Sequence, residues 1–235
     1  MKHFLTLVAI MAMFIFTSCK NDKAAVTTEQ EIAADTTVVE APAFEPFQVM
    51  AINHTVKDFD SWKKEYDAHE SMRAAAGLTS MAVCRDMDNP NRVHVFNRIS
   101  DLQKAMDFGA SADLKATMKK GGVSGTPEVI IADILRFEES PENVNDRVRV
   151  GHKVKDFDAW LKVYDAEGKD VRASHGLVDR SISRNHSDPN MVYVVFAVTD
   201  MAKAKARMND PALKKIMTDA GVEGPPTFTF YTVVD

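Results

Sequence analysis

The stretch His54-Thr-Val-Lys-Asp-Phe-Asp-Ser-Trp62 returns as His152-Lys-Val-Lys-Asp-Phe-Asp-Ala-Trp160, and this recurrence decides how the chain is read. Self-similarity at a fixed spacing marks a repeated structural unit. In each copy, alternating apolar residues lead up to Val56 or Val154, the pattern of a strand, and Asp-Phe-Asp-x-Trp then opens a run of helical period. A strand feeds a helix, twice.

Working outward through the first copy, Met50, Ile52, His54 and Val56 share one strand face. Asp58 is an N-cap, and Phe59, Trp62 and Tyr66 fall on one helix face. Gly77 suits the position just past that helix. Met81 to Arg85 and Arg92 to Phe96 read as strands joined by a turn, Asp86-Met-Asp-Asn-Pro-Asn91, whose side chains bond their own backbone. A second helical region starts at Ser100-Asp101, pauses near Gly109 and resumes as Asp113 to Lys120, before an apolar strand from Glu128 to Phe137. The predicted order is βαββαβ over residues 47–137. After a linker at 138–145, residues 146–235 repeat it: Val148, Val150, His152 and Val154 on the strand, Phe157, Trp160 and Tyr164 on the helix, Gly176 at its end. The offset is 98 at the histidines and 99 from Arg73 and Arg172 onward, which places one inserted residue near Gly168.

Such a module is small. At about 90 residues it buries only a little over 60% of its unfolded surface, and a four-stranded sheet with helices on one face leaves the other face bare. Two sheets facing each other within one chain cover both. The expected fold class is therefore α+β: two tandem ferredoxin-like βαββαβ modules forming an intramolecular dimeric α/β barrel, a pseudo-dimer with a cavity between the sheets.

The N-terminus reads as an address. Met1-Lys-His3 precedes thirteen almost wholly apolar residues, Phe4 to Phe16, which as a helix span roughly 20 Å against the ~30 Å of a bilayer core. Residues 1–18 are thus expected to be a signal peptide. The run ends in Phe16-Thr-Ser-Cys19, which resembles the lipobox of bacterial lipoproteins and implies lipid attachment at Cys19 and contact with the membrane through that lipid. Lys20 follows the cysteine rather than the aspartate of an inner-membrane retention signal, so the expected location is the cell envelope of a Gram-negative bacterium, on the outer membrane. Residues 19–46 form a tether, with no sustained period and few large apolar groups.

Of 34 acids and 29 bases in 235 residues, the tether holds six acids and two lysines and the signal segment holds Lys2, leaving 28 acids against 26 bases. That near-neutral balance offers no basic face for phosphates, so nucleic acid is not an expected partner. With Cys19 acylated, Cys84 is the one remaining thiol, and the core must supply stability without a disulfide.

Val-x-Asp-Phe-Asp-x-Trp, Arg-x-x-x-Gly, Asp-Asn-Pro-Asn or Ser-Asp-Pro-Asn, Leu-Lys-x-x-Met and Gly-Val-x-Gly-x-Pro together resemble modules of the antibiotic-biosynthesis-monooxygenase, or dimeric α/β-barrel, superfamily, over residues 47–235. The resemblance implies the ferredoxin-like fold. It leaves function open, because cofactor-free oxygenases, haem degraders, isomerases and binding proteins share it. Haem degraders of this kind resemble one another in a first-strand asparagine, a second-helix histidine and a third-strand tryptophan. Asn53 matches the first in one copy, Gly151 replaces it in the other, and the remaining two are absent, so haem is not expected. Nor does the sequence hold a Gly-rich phosphate loop, a nucleophile elbow or zinc spacing, and no cofactor or metal is expected.

Candidate ligand-contacting residues are His54 and His152, matched on otherwise apolar strands and readable either as packed residues or as cavity-facing donors or bases. His94 and its counterpart Tyr193 could add polar groups to the cavity. Arg85 and Arg184 either pair with acids of the adjoining turn or form a rim for a carboxylate or phenolate. The leading expectation is a membrane-anchored lipoprotein binding a small, partly apolar ligand in the inter-sheet cavity. The alternatives are a cofactor-free monooxygenase or isomerase acting on an aromatic or quinol substrate, with His54 or His152 as proton acceptor, and a non-catalytic assembly scaffold.

Overall fold

The computed structural model describes residues 44–141 and 143–235. The signal segment, Cys19 and the tether up to residue 43 lie outside the described residues, as does residue 142 of the linker. In chain order the elements of the first half are β1 (Phe47–Val56), α1 (Phe59–Ala68), α2 (Glu70–Ala75), β2 (Leu78–Asp86), β3 (Arg92–Ile99), α3 (Leu102–Ala110), α4 (Ala112–Lys120) and β4 (Val123–Phe137). The second half repeats that order as β5 (Asp146–Val154), α5 (Phe157–Glu167), α6 (Lys169–Ser174), β6 (Leu177–Asn185), β7 (Met191–Val198), α7 (Met201–Met208), α8 (Pro211–Asp219) and β8 (Val222–Val233).

Six of the eight described helices, all but α2 and α6, open with an acceptor side chain that satisfies an otherwise orphaned N–H. Asp58 accepts from the Ser61 N–H at 2.8 Å, and Asp156 from that of Ala159 at 2.7 Å. Gly77 and Gly176, just past α2 and α6, take φ of 72° and 74°, a backbone that side-chain-bearing residues seldom adopt. The first helical region of each half, expected as one long helix, is broken in two. In the first half the break falls at His69, whose Nδ1 lies 2.5 Å from the Glu65 carbonyl oxygen; in the second it falls at Gly168, whose φ of 82° is not helical. The pause expected near Gly109 sits at Ser111, which caps α4 by accepting from the Leu114 N–H at 3.1 Å.

All strand pairings are antiparallel, and the eight strands close into a barrel in the order β1-β3-β2-β8-β5-β7-β6-β4. Within each half the order is β4-β1-β3-β2 or β8-β5-β7-β6. The halves meet along two seams of matching register: Cys84 opposite Val233 and Asp86 opposite Tyr231 on one side, Ser183 opposite Ile134 and Asn185 opposite Ala132 on the other. The β4–β6 seam runs on to Phe137, because β4 is three residues longer than β8.

Helices cover the outer face of the sheet. Val56, Trp62, Val83, Val93 and Val95 form one cluster under α1, with Phe59 and Tyr66 packed against it. Val148, Val154, Trp160, Leu177, Val192 and Val194 belong to the corresponding cluster of the second half. Burying a large side chain of this kind contributes roughly 1.5–3 kcal/mol, so these clusters are the main source of stability for a chain whose described cysteine, Cys84, is unpaired. Among the described residues no helix is long and apolar enough to cross a membrane.

Candidate functional site

Strand parity sorts the candidate residues. Successive side chains of a strand point to opposite faces, and on β1 the even positions Met50, Ile52, His54 and Val56 belong to the helix-facing side while Val49 and Ala51 line a cavity inside the barrel. His54 is therefore on the helix side. Its ring centroid lies 5.3 Å from that of Trp62, and the His152–Trp160 pair repeats the distance at 5.3 Å. Neither histidine reaches the barrel interior, so of the two readings open to them the packed one holds and their place as candidates lining the barrel cavity is corrected. They line instead two smaller recesses between helices and sheet. One, of about 60 Å³, has His54, Trp62, Tyr66 and Arg73 in its wall, and the other, of about 80 Å³, has His152, Trp160, Tyr164 and Arg172.

Both ring nitrogens of His54 and His152 are buried without a hydrogen-bond partner among the described residues. Burial holds both imidazoles down to about 4, because a desolvated imidazolium loses its hydration without gaining a counter-ion. At neutral pH both rings are uncharged.

Arg85 and Arg184 also face the helices. Their guanidinium carbons sit 4.2 Å and 4.5 Å from the ring centroids of Phe59 and Phe157, the phenylalanines of the repeated motif. Arg85 Nε donates to the Pro90 carbonyl at 2.8 Å. Neither forms a rim around the barrel cavity, because odd-to-even alternation on β2 and β6 turns them to the outer side.

His94 and Tyr193 do point inward. His94 is fully buried; its Nδ1 donates to Asn53 Oδ1 at 2.8 Å, Asn53 Nδ2 donates to Glu128 Oε2 at 2.9 Å, and the His94 ring lies 5.4 Å from that of Tyr231. Burial, and next the charge of Arg149, holds His94 down to about 4. In the second half Gly151 stands where Asn53 does. A Cβ there would come within 2.8 Å of Thr227 Oγ1 and 3.3 Å of Tyr193 Cδ1. The missing side chain makes room for the larger Tyr193 ring.

The barrel interior holds a half-open cavity of about 210 Å³. Residues of the first half give it an apolar wall of Val49, Ala51, Met81, Phe96, Ile130 and Ile134. The second half supplies Arg147, Arg149 and Arg180, together with Ser181, Ser183, Tyr193 and Tyr231. Arg147, 8% exposed, donates through Nη1 to the carbonyls of Val144 (2.6 Å) and Asp146 (2.9 Å) and through Nη2 to Ser140 Oγ (2.6 Å). Arg180 Nη1 is buried and has no partner among the described residues. Burial holds both guanidiniums below the ordinary arginine value, and the charge of Arg147 lowers Arg180 further. Cys84 lies in the same wall, its thiol pushed up to about 12 by burial, so it is a packed residue rather than a nucleophile.

The three arginines and Tyr231 were not among the sequence candidates. A signal for two of them was present: Arg147 and Arg149 alternate with Val148 and Val150 where the first copy has Val49 and Ala51, so the repeat differs on one strand face only. No group of three or more His, Cys, Asp or Glu side chains suited to a metal occurs among the described residues.

No family model matches the sequence, and no curated protein does. Solved structures do match. A candidate monooxygenase from Lactobacillus acidophilus NCFM superposes with a TM-score of 0.53 at 15% identity, covering 80% of this chain and 94% of that one. A candidate monooxygenase from Fusobacterium nucleatum subsp. nucleatum gives 0.55 at 12% identity, over 81% and 93% of the two chains. An anthrone oxidase-like protein gives 0.54 at 15%, over 80% and 92%. At such identities the likeness is one of fold. The chain has the ferredoxin-like α+β fold.

Proposed function

We propose that the chain is a lipid-anchored envelope protein that binds a small, partly apolar ligand inside its barrel. In this reading the barrel is a dimeric α/β barrel made within one chain by a tandemly doubled βαββαβ module, and Cys19 carries the lipid that holds it at the outer membrane. The observation that supports it best is the cavity of about 210 Å³ to which both halves contribute. Its size narrows the ligand: drug-sized molecules occupy roughly 300–1,000 Å³ pockets, whereas an engineered apolar cavity of about 150 Å³ takes benzene. A single ring or a short chain with a few polar atoms fits that range. Native mass spectrometry of the protein purified from its own host tests the reading. A co-purifying small molecule lost on filling the cavity with Ala51→Phe supports it, and a wild-type protein that carries nothing and binds no small molecule in a broad screen removes it. The anchor is tested separately: labelled palmitate should enter the wild type and not a Cys19→Ser variant.

A second reading has its own observation. His54 and His152 each present two unpartnered ring nitrogens in recesses that also hold a tryptophan, a tyrosine and an arginine, which suits proton abstraction from an aromatic or quinol substrate by a cofactor-free monooxygenase or isomerase. Imidazoles held near 4 are weak proton acceptors at neutral pH, and recesses of 60–80 Å³ must widen to admit a ring. Both points rank it second. Oxygen uptake with a quinol panel, abolished in a His54→Ala, His152→Ala double variant, would promote it.

A further inference from the structure

We infer that the barrel cavity selects a monocarboxylate with a small apolar body, the carboxylate set against Arg149 and Arg180 beside Arg147, the body against the apolar wall of the first half. The inference rests on the inter-sheet cavity being the ligand site, and it adds the ligand's charge and direction.

The argument starts from matched positions. Where the first half places Val49, Ala51 and Met81 on the cavity, the second half places Arg147, Arg149 and Arg180. The pairing is not random scatter over the surface, because the residues between them on the same strands, Met50 against Val148 and Ile52 against Val150, stay apolar and face the helices. The lining is thus apolar at the positions of the first half where the second half places its three cations. No carboxylate occurs among its lining residues.

These cations are under-compensated. Two nearby acids are already engaged and a third is exposed: Asp146 accepts from Thr232 Oγ1 at 2.8 Å, Glu138 accepts from Lys169 Nζ at 2.7 Å, and Glu139 faces solvent. Glu138 and Glu139 offset the Arg180 charge only in part, while Arg147 opposes it. Arg147 spends its Nη atoms on carbonyls and a hydroxyl, which leave its charge in place. The Arg180 guanidinium carbon lies 4.7 Å from the centroid of the Phe137 ring, and its Nη1 is buried with no hydrogen-bond partner among the described residues. A buried, unsatisfied guanidinium N–H is costly unless something accepts from it, and guanidinium matches planar carboxylate oxygens bidentately. Ser181 and Ser183 add hydroxyls beside it, where the first half has Ala82 and Cys84.

Size sets the body. A cavity of about 210 Å³, against the ~150 Å³ that accommodates benzene, has room for a phenylacetate or a hexanoate and not for a long-chain fatty acid.

The test is calorimetric titration of the purified full-length chain with phenylacetate and its neutral isostere phenylacetamide, and with hexanoate and hexanamide. The acids should bind at least about tenfold more tightly than the amides. Arg149→Ala and Arg180→Met, each the residue found at the matching place in the first half, should weaken the acids roughly 10- to 100-fold and leave the amides unchanged. Both sites are half-buried, and near-UV circular dichroism verifies folding; should either variant not fold, the acid-to-amide ratio of the wild type decides alone. Acids and amides binding equally, acids failing to bind, or arginine variants that bind acids as the wild type does would each overturn the inference while leaving the cavity reading standing. Wild-type affinities for both classes in Ala51→Phe would place binding outside the cavity, and both readings would fall together.

Discussion

The two halves agree where the strands face the helices and disagree where they face each other. On the helix side, His54 and His152 stack at the same 5.3 Å on Trp62 and Trp160, and Arg73 and Arg172 sit 3.6 Å and 3.9 Å over Tyr66 and Tyr164. On the barrel side, Val49, Ala51, Asn53, Met81, Cys84 and His94 give way to Arg147, Arg149, Gly151, Arg180, Ser183 and Tyr193. Period-two geometry lets one face change without touching the other. The packing that makes the fold is thus kept in duplicate, while the shared interior is assembled from two unlike walls.

The largest test of that comparison lies in an exception on the helix side. Arg172 donates through Nε and Nη2 to both oxygens of Asp179 at 2.8 Å each, and through Nη1 to the Tyr164 carbonyl at 2.8 Å. Arg73 donates to the Tyr66 carbonyl but has Ser80 where Asp179 would stand, and its Nε has no hydrogen-bond partner among the described residues. Arg172→Ala strands a buried carboxylate and should cost about 3–5 kcal/mol. Arg73→Ala strands no charge and should cost about 1–3 kcal/mol. Urea unfolding measures both, and equal losses would mean the Asp179 pair adds nothing to the second half.

Acid should then act on the halves alike. His54 and His152 lie near 4 in the folded chain and at 6.5 when unfolded, so the unfolded state binds more protons below pH 6.5. Their contribution is therefore full above pH 6.5 and is lost as pH falls from 6.5 toward 4, on the order of 2–3 kcal/mol for each ring. His54→Leu and His152→Leu should flatten the fall in urea midpoint by similar amounts. His94 adds a third such group to the first half only, since Tyr193 replaces it; His94→Tyr should flatten the slope further. A midpoint that holds steady from pH 7 to 4.5 would show the rings to be solvated.

Much of this could be read from the sequence because it depends on local chemistry. The caps at Asp58 and Asp156, the turn at Asp86 to Asn91, and the glycines at 77 and 176 are each set by residues within a few positions of one another. The face of His54 could not be read. In a closed barrel wrapped in helices both faces of β1 are buried, so Val49-Met-Ala-Ile-Asn-His54 is buried at every position and alternation has nothing to contrast. The direction is settled by Trp62, a helical residue whose position over the sheet is tertiary. Arg147 and Arg149 were hidden for a related reason: alternate arginines on a strand ordinarily mark a solvent face, and only closure of the barrel turns them inward.

The smallest effect has opposite signs in the two halves. Tyr66 reaches Ser80 Oγ at 3.2 Å and Asn97 Oδ1 at 3.4 Å with its hydroxyl. In the second half Phe196 occupies the place of Asn97, and the Tyr164 hydroxyl is buried beside the Asp179 carboxylate, both of whose oxygens Arg172 holds, with no well-formed hydrogen bond of its own among the described residues. Burial, and next the charge of Asp179, pushes that phenol above its usual range, which keeps it neutral. Removing a hydroxyl that bonds leaves Asn97 under-satisfied, so Tyr66→Phe should destabilise by about 1 kcal/mol. Removing one that does not bond relieves a desolvated polar atom against Phe196, whose ring lies 6.5 Å away, so Tyr164→Phe should be neutral or stabilise by up to about 1 kcal/mol. Because the two substitutions delete the same atom from the same position of a repeated motif, helix propensity and unfolded-state effects cancel in their difference. A loss of equal size in both would mean that the Tyr164 hydroxyl bonds in solution, and that the helix-side packing of the two halves is more alike than their contacts indicate.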